Sequence, residues 1–347
     1  MSVKYQTTSL IIMLGLLLFS CSPNKSLFKR YGEITPVSTK ENAKFASWQN
    51  FYFSPEDCKC VNGGAYFIAI KDAPSQTGNL MISLQGGGAC WPGLLRCKQT
   101  TIENDVRISN FTSQLDERLA EDWNKVVIPY CDGSIYMGDS EKDYDSDYEI
   151  DHWHNGLKIS VAAIKLVKEK YPNISIIFLT GCSAGGYGTI IQLRLIRELY
   201  PKTSIFVLNE SGPGLLRPDQ KFWEMIVKSW NFNQLVPKNC EKCKGQLIYW
   251  YQDMLKDPKI KIGLYSAYMD EVIGQKFLNL EPEGYKSLLL STSDDLNSKY
   301  PNQFKRFFIN GNSHCVKDRD YQVNGIKYWD WVLAFINEQE NWKDILE

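Results

Sequence analysis

The sequence predicts an α/β protein, a mostly parallel sheet with helices on both faces. Three observations predict it. Apolar runs of strand length alternate with helical-period segments from residue 46 onward. One run, 174–179 (ISIIFL), is apolar throughout, as a strand covered on both faces must be. That run passes through a glycine-rich turn straight into a helical pattern.

The elements follow in order. Residues 65–70 (AYFIAI) and 80–84 (LMISL) read as the first two strands, joined by a polar Pro/Gly turn. A third, 125–128 (KVVI), enters the loop Pro129-Tyr130-Cys131-Asp132-Gly133. Residues 154–170 form a helix, with Leu157, Val161, Ile164, Leu166 and Val167 on its apolar side. After the central strand, 186–200 is a second helix carrying Ile190, Ile191, Leu193, Leu195 and Ile196. Strands at 204–208, 261–268 and 304–309 and an amphipathic helix at 329–337 complete the pattern, with no repeat and no low-complexity tract.

The N-terminus reads as a targeting segment rather than as fold. Lys4 precedes a short apolar run at 9–19, too short for a membrane span of about 20 apolar residues. Leu18-Phe19-Ser20-Cys21 resembles a bacterial lipoprotein cleavage box, in which Cys21 becomes the lipidated first residue. The expected organisation is a signal segment over 1–21, a polar tether over 22–45 and one catalytic domain over 46–347. A multi-acylated Cys21 would hold the folded enzyme at a bacterial cell envelope; cleavage elsewhere would secrete it.

Charge narrows the partners. With 39 basic and 40 acidic residues the net charge is -1, so no long-range field is available for nucleic acid or an anionic membrane. Membrane contact is expected only through the lipid. Aromatics make up 13% of the chain, most of them core, with some left to line a groove for sugars or acyl chains.

Ten cysteines fit export, where disulfides persist. With Cys21 set aside the total is odd, which implies a free thiol. Cys90 with Cys97 and Cys240 with Cys243 are the easiest local bridges. Cys58, Cys60, Cys240 and Cys243 could instead hold zinc, but they lack paired finger spacing, and no metal is expected.

The chemistry sits at the end of the central strand, in Thr180-Gly181-Cys182-Ser183-Ala184-Gly185-Gly186. This is G-x-S-x-G in the strand–turn–helix context that gives the motif meaning. Ser183 would occupy a strained turn as the nucleophile, with Gly181 and Gly185 letting strand and helix approach. Only three histidines exist: His152, His154 and His314. His314 follows the last strand, as the base does in the α/β-hydrolase order Ser…Asp/Glu…His. His152 and His154 precede the nucleophile, lack a clear third metal ligand, and read as local hydrogen-bonding groups. The acid should follow a strand between Ser183 and His314. Asp270 does so first and is preferred to its neighbour Glu271. The glycine run Gly86-Gly87-Gly88 follows the second strand, so Gly87, Gly88 and Ala184 are the expected oxyanion-hole donors. A phosphate loop would need a Gly-Lys-Ser/Thr that does not follow.

Taken together, the glycine run with Cys90 and Trp91, the loop from Tyr130 to Asp139, the elbow at Ser183 and Ser313-His314-Cys315 resemble the pectin acetylesterase/Notum family. The resemblance spans roughly 55–335 and implies an α/β-hydrolase fold, no cofactor, and hydrolysis of carboxylic esters. Family substrates include acetyl groups on pectin and, in the Notum branch, a fatty acyl group on a protein. The family triad falls on Ser183, Asp270 and His314. Two departures bear on substrate: Gly88-Ala89 stands where relatives often carry a bulky aromatic, and Asn209-Glu210-Ser211-Gly212 replaces an Asp-Ala-Gly-type stretch. The expected activity is removal of acetyl groups from a polysaccharide such as pectin. Its alternatives are a deacylase for longer chains and a silent polysaccharide-binding member.

Overall fold

The computed structural model describes residues 24–95, 97, 122–147 and 149–347. The expected signal segment, and Cys21 with it, lies outside the described residues.

Ten strands of the described residues form one sheet. They are β1 (Ser38–Glu41), β2 (Gln49–Phe53), β3 (Tyr66–Lys71), β4 (Asn79–Leu84), β5 (Asn124–Ile128), β6 (Ile176–Cys182), β7 (Ser204–Glu210), β8 (Ile260–Ala267), β9 (Phe304–Ile309) and β10 (Ile345–Leu346). Their spatial order is β1-β2-β3-β5-β4-β6-β7-β8-β9-β10. The pairs β1–β2, β2–β3 and β3–β5 are antiparallel, and all other neighbours are parallel. The sequence-predicted strands agree with these to within a residue or two at most ends. The expected mostly parallel sheet is therefore the observed one.

The central run explains the layering. Ile177 and Leu179 of β6 enter one core, while Phe178 between them enters the other, as the period of two requires. Over the first face lie α1 (Asn24–Tyr31), α2 (Gly156–Lys170) and α3 (Ala184–Leu199). That side also carries α4 (Gln220–Trp230) and α5 (Pro282–Lys299). Over the second lies α6 (Tyr328–Ile336), whose sequence YWDWVLAFI is buried nearly all round. Its Trp331 meets Phe307 edge-on at 5.6 Å and its Phe335 meets Phe206 at 5.4 Å. Truncating either side chain to Ala would cost about 3–5 kcal/mol.

The stretch read as a polar tether departs from expectation. From residue 24 it belongs to the packed body. Leu27 and Tyr31, one helical turn apart on α1, are both buried in the core. The Tyr31 hydroxyl donates to Asp139 Oδ1 at 2.8 Å, and Arg30 lies 3.2 Å from Asp139 Oδ2. β1 (STKE) is fully exposed and polar, which suits a sheet edge and hides it from a hydrophobic reading. Packing thus begins before residue 46. A second difference is local. His152–His154 pairs with Ser140–Lys142 as a two-stranded ribbon, so α2 starts at Gly156.

Among the described residues, four disulfides join Cys60 to Cys131, Cys90 to Cys97, Cys182 to Cys315 and Cys240 to Cys243. Both local bridges expected from spacing form. Three of the four sulfurs of the zinc alternative are therefore in disulfide bonds. Cys58 is the free thiol among the described residues, and burial pushes it up to about 12.

Candidate active site

The parallel strands deliver their loops to one edge of the sheet. In register, Gly181 of β6 lies beside Leu84 of β4, and Cys182 beside Glu210 of β7. Ser183 therefore stands just beyond the carboxyl end of the central strand, where open α/β sheets place ligands.

Ser183 has φ 60° and ψ -124°, a left-handed backbone that a non-glycine residue holds only under restraint. Its N–H donates to the carbonyl of Glu210 at 2.9 Å. It sits at the N-cap of α3, yet its side chain makes no capping bond, so the hydroxyl is not spent on the helix. The tightness around it is real: a Cβ on Gly185 would come within 2.2 Å of the Leu84 carbonyl oxygen. That contact explains why strand and helix need glycine here.

Asp270 and His314 arrive from β8 and β9. Asp270 is fully buried at the start of a π-helical segment, Glu271–Phe277. Its Oδ1 accepts from the N–H groups of Val272 at 2.9 Å and Ile273 at 3.0 Å. His314 Nδ1 lies 2.8 Å from Oδ2 and 3.1 Å from Oδ1 of Asp270. A carboxylate can only accept, so Nδ1 carries a proton, and in the neutral ring the lone pair is the one on Nε2. Glu271 turns elsewhere, pairing with Lys276 at 2.8 Å, which holds its carboxyl below the ordinary value. Of the two neighbouring carboxylates, Asp270 is the one in contact with His314.

The His314 loop is fastened to the Ser183 turn. Cys182, which precedes Ser183, is bonded to Cys315, which follows His314. A His314 ring nitrogen and the two sulfurs lie within 4.8 Å of one another. Cys315 has φ 58°, and its N–H donates to Ser211 Oγ at 3.1 Å. Behind the loop, Arg319 pairs with Glu210 at 3.1 Å, and the Tyr328 hydroxyl donates to the same carboxylate at 2.7 Å. In the sequence Glu210 stands out only as part of the departing Asn209-Glu210-Ser211-Gly212 stretch, with nothing to mark Arg319 and Tyr328 as its partners.

A cavity of about 260 Å³ opens beside Ser183. Gly87, Gly88 and Ala184, the expected oxyanion donors, all line it. Its far wall is apolar and comes largely from the π-helical segment: Val272, Ile273 and Phe277, with Lys276 at the same surface. Phe277 is seated edge-on against Trp91 at 5.6 Å and Tyr187 at 5.5 Å. Sequence periodicity missed this wall, because seven π-helical residues carry no 3.6-residue pattern.

Other conspicuous residues are scaffold. Asn209 donates to the carbonyls of Gly186 at 3.0 Å and Gly212 at 2.8 Å, bracing the turn rather than facing the cavity. His154 Nδ1 bonds the Asp132 carbonyl at 2.9 Å, and its Nε2 meets the Tyr144 hydroxyl at 2.8 Å. A carbonyl only accepts, so Nδ1 is the protonated nitrogen. Burial lowers His154 to about 4. Asp132, also buried, accepts from the N–H and the hydroxyl of Ser134, and burial pushes it up to about 6.

Comparison with known proteins adds a family. A family model described as Pectinacetylesterase matches residues 53–248, more than half of the chain. Pectin acetylesterase 11 of Arabidopsis thaliana is 23% identical over 233 residues, covering 61% of this chain and 59% of the relative. Pectin acetylesterase 5 of the same plant is 28% identical over 148 residues, covering 38% of this chain and 34% of the relative. The chain thus spans about three fifths of the first relative's length and about a third of the second's. The matched segment holds Ser183; Asp270 and His314 lie beyond it.

Proposed function

The chain belongs to the pectinacetylesterase family, and from that premise we propose that it is a serine carboxylesterase that removes acetyl groups from a polysaccharide such as pectin. The observation that carries the serine mechanism is the His314–Asp270 pair, 2.8 Å apart beside the strained Ser183 turn. His314 Nε2 takes the hydroxyl proton of Ser183 as its oxygen attacks the ester carbonyl. The N–H groups of Gly87, Gly88 and Ala184 receive the oxyanion. His314 then returns the proton to the departing sugar oxygen, leaving an acetyl-serine. Water, deprotonated by the same imidazole, releases acetate and restores the hydroxyl. Asp270 stays ionised and stabilises the imidazolium. No step calls on a cofactor or a metal.

One observation favours a second reading. The cavity of about 260 Å³ is walled by Val272, Ile273 and Phe277. A methyl group needs only about 30 Å³, a water molecule's share of the liquid. Longer acyl chains would bury their methylenes there at roughly 0.8 kcal/mol each. The family supports the acetyl reading; the wall supports the longer one.

Export is part of the proposal, supported by four disulfides that a reducing cytosol would not sustain. A lipid at Cys21 is the proposed anchor, and an acylated carbohydrate the proposed partner.

The test is labelling by a fluorophosphonate, located by mass spectrometry, together with acetate release from acetylated pectin and acetylated xylan. Labelling at Ser183, lost in Ser183→Ala along with acetate release, is the expected result. Full hydrolysis of p-nitrophenyl acetate by Ser183→Ala would overturn the serine mechanism. A protein that binds acetylated pectin but neither labels nor hydrolyses would be the silent member instead.

A further inference from the structure

We propose that the Cys182–Cys315 disulfide is a positioning cross-link for the proposed ester hydrolysis, and that a reductant can open it within the folded protein, switching turnover down. The inference rests on the reading of Ser183 and His314 as nucleophile and base.

Three observations carry it. The bond joins the residue before Ser183 to the residue after His314, across 133 positions of sequence. No other described disulfide touches both catalytic loops. It ties together two strained turns: Ser183 at φ 60° and Cys315 at φ 58°, both outside the range that L-residues favour. Such conformations are strained and persist only where the surroundings over-determine them. The cross-link supplies that restraint. It is also the described disulfide in which neither cysteine is buried; Cys60, Cys131, Cys90 and Cys243 are each sealed in the core.

The other fastenings of the base loop predict what opening would do. At its start the loop is held by Met269 N–H to the Gly311 carbonyl at 3.0 Å and Glu271 N–H to Asn312 at 3.3 Å. At its end it is held by Arg319 on Glu210 at 3.1 Å. Those contacts keep the loop folded. Between them, the loop is held by the Cys315 N–H on Ser211 Oγ and by His314 Nδ1 on the two oxygens of the buried Asp270, polar contacts that can lengthen where a covalent bond cannot. Without the covalent tie, His314 stays near Asp270 but loses its fixed distance to the Ser183 turn. A displacement of about 1 Å is enough to cost on the order of 100-fold in rate. Opening is two thiol–disulfide exchanges with a dithiol: the reductant gives two electrons and two protons, Cys182 and Cys315 become thiols, and the reductant leaves as its own disulfide.

The experiment uses the full chain. It is treated with graded dithiothreitol in the presence of a chelator, since the freed thiols and His314 would form a ready trap for a soft cation. Opened cysteines are alkylated and mapped by mass spectrometry. kcat and KM on p-nitrophenyl acetate, the fluorophosphonate labelling rate at Ser183, and circular dichroism are followed in parallel. We expect Cys182 and Cys315 to be alkylated first, kcat and the labelling rate to fall roughly 10- to 100-fold, KM to change less than about threefold, the fold signal to hold, and activity to return on reoxidation before alkylation. The double variant Cys182→Ala/Cys315→Ala should reproduce the low kcat and be insensitive to mild dithiothreitol. Unchanged kcat with the bond mapped open, or activity lost only together with the fold signal, would overturn the inference. An untreated protein without esterase activity would instead overturn the reading on which it rests.

Discussion

Asp270 approaches His314 with both carboxylate oxygens, at 2.8 and 3.1 Å, while the nearer helix N–H groups of Val272 and Ile273 hold Oδ1 from the other side. The carboxylate is therefore fixed before any substrate arrives. Asp270→Asn keeps the shape but presents an amide N–H to Nδ1, favouring the wrong tautomer. We expect kcat for ester hydrolysis to drop by about 10³- to 10⁴-fold with little change in KM. Stopped-flow or steady-state assay on p-nitrophenyl acetate checks it; a loss below tenfold would remove Asp270 from the triad.

The π-helical wall makes acyl length testable. Ile273 lines the cavity from the same segment that Asp270 caps. Ile273→Trp should fill much of the space and shift preference toward acetyl. In a p-nitrophenyl series from two to ten carbons, the ratio of kcat/KM for octanoate to acetate should fall by at least tenfold. An unchanged ratio would mean that acyl chains do not enter this cavity.

Glu210 anchors Arg319 and Tyr328 behind the base loop, with only 7% of its side chain exposed. Glu210→Gln removes the carboxylate charge that faces the largely covered Arg319 guanidinium. Breaking such a pair costs on the order of 3 kcal/mol. We expect the urea midpoint to fall accordingly, and kcat to fall with it as the His314 loop loosens. Equal stability of variant and parent would show the pair to be ornamental.

Asp132 and His154 oppose each other with pH. Asp132 rises on folding from 3.8 to about 6, so its folded-state preference for the proton contributes stability below pH 3.8 that is lost as pH climbs to 6. His154 falls from 6.5 to about 4, so it contributes stability above pH 6.5 that is lost as pH drops toward 4. Each amounts to roughly 3 kcal/mol at about 1.4 kcal/mol per pH unit, and the two largely cancel across the window. Relative to the parent, Asp132→Asn should therefore gain stability as pH rises from 4 to 6.5, and His154→Gln should lose it. Urea unfolding at several pH values reads both slopes; slopes of the same sign would refute the assignment.

How much of this was legible in the sequence depends on how local its cause is. β6 and the turn at Ser183 were legible, because an apolar run and a glycine pair act within ten residues. His314 was legible because only three histidines exist and one follows the last strand. Asp270 was legible as the first carboxylate after a strand, although its separation from Glu271 needed the contacts. The distant disulfides were not, since bridges across 71 and 133 residues leave no spacing signal. Nor was the N-terminal packing. α1 turns only a narrow apolar stripe inward, and eight residues are too few for periodicity to separate it from a polar linker.

That helix has a consequence for where the proposed activity could take place. Were Cys21 acylated, Ser22 and Pro23 alone would separate the lipid from the first turn of α1. Two residues reach at most about 7 Å. The body would ride flush on the lipid surface, unable to wander out along a leash, and Leu27 and Tyr31 would fix which side of it faces down. Mounted so tightly, the protein would meet its proposed polysaccharide only where polymer chains come down to that surface. A flexible insert between Pro23 and Asn24 would give it range.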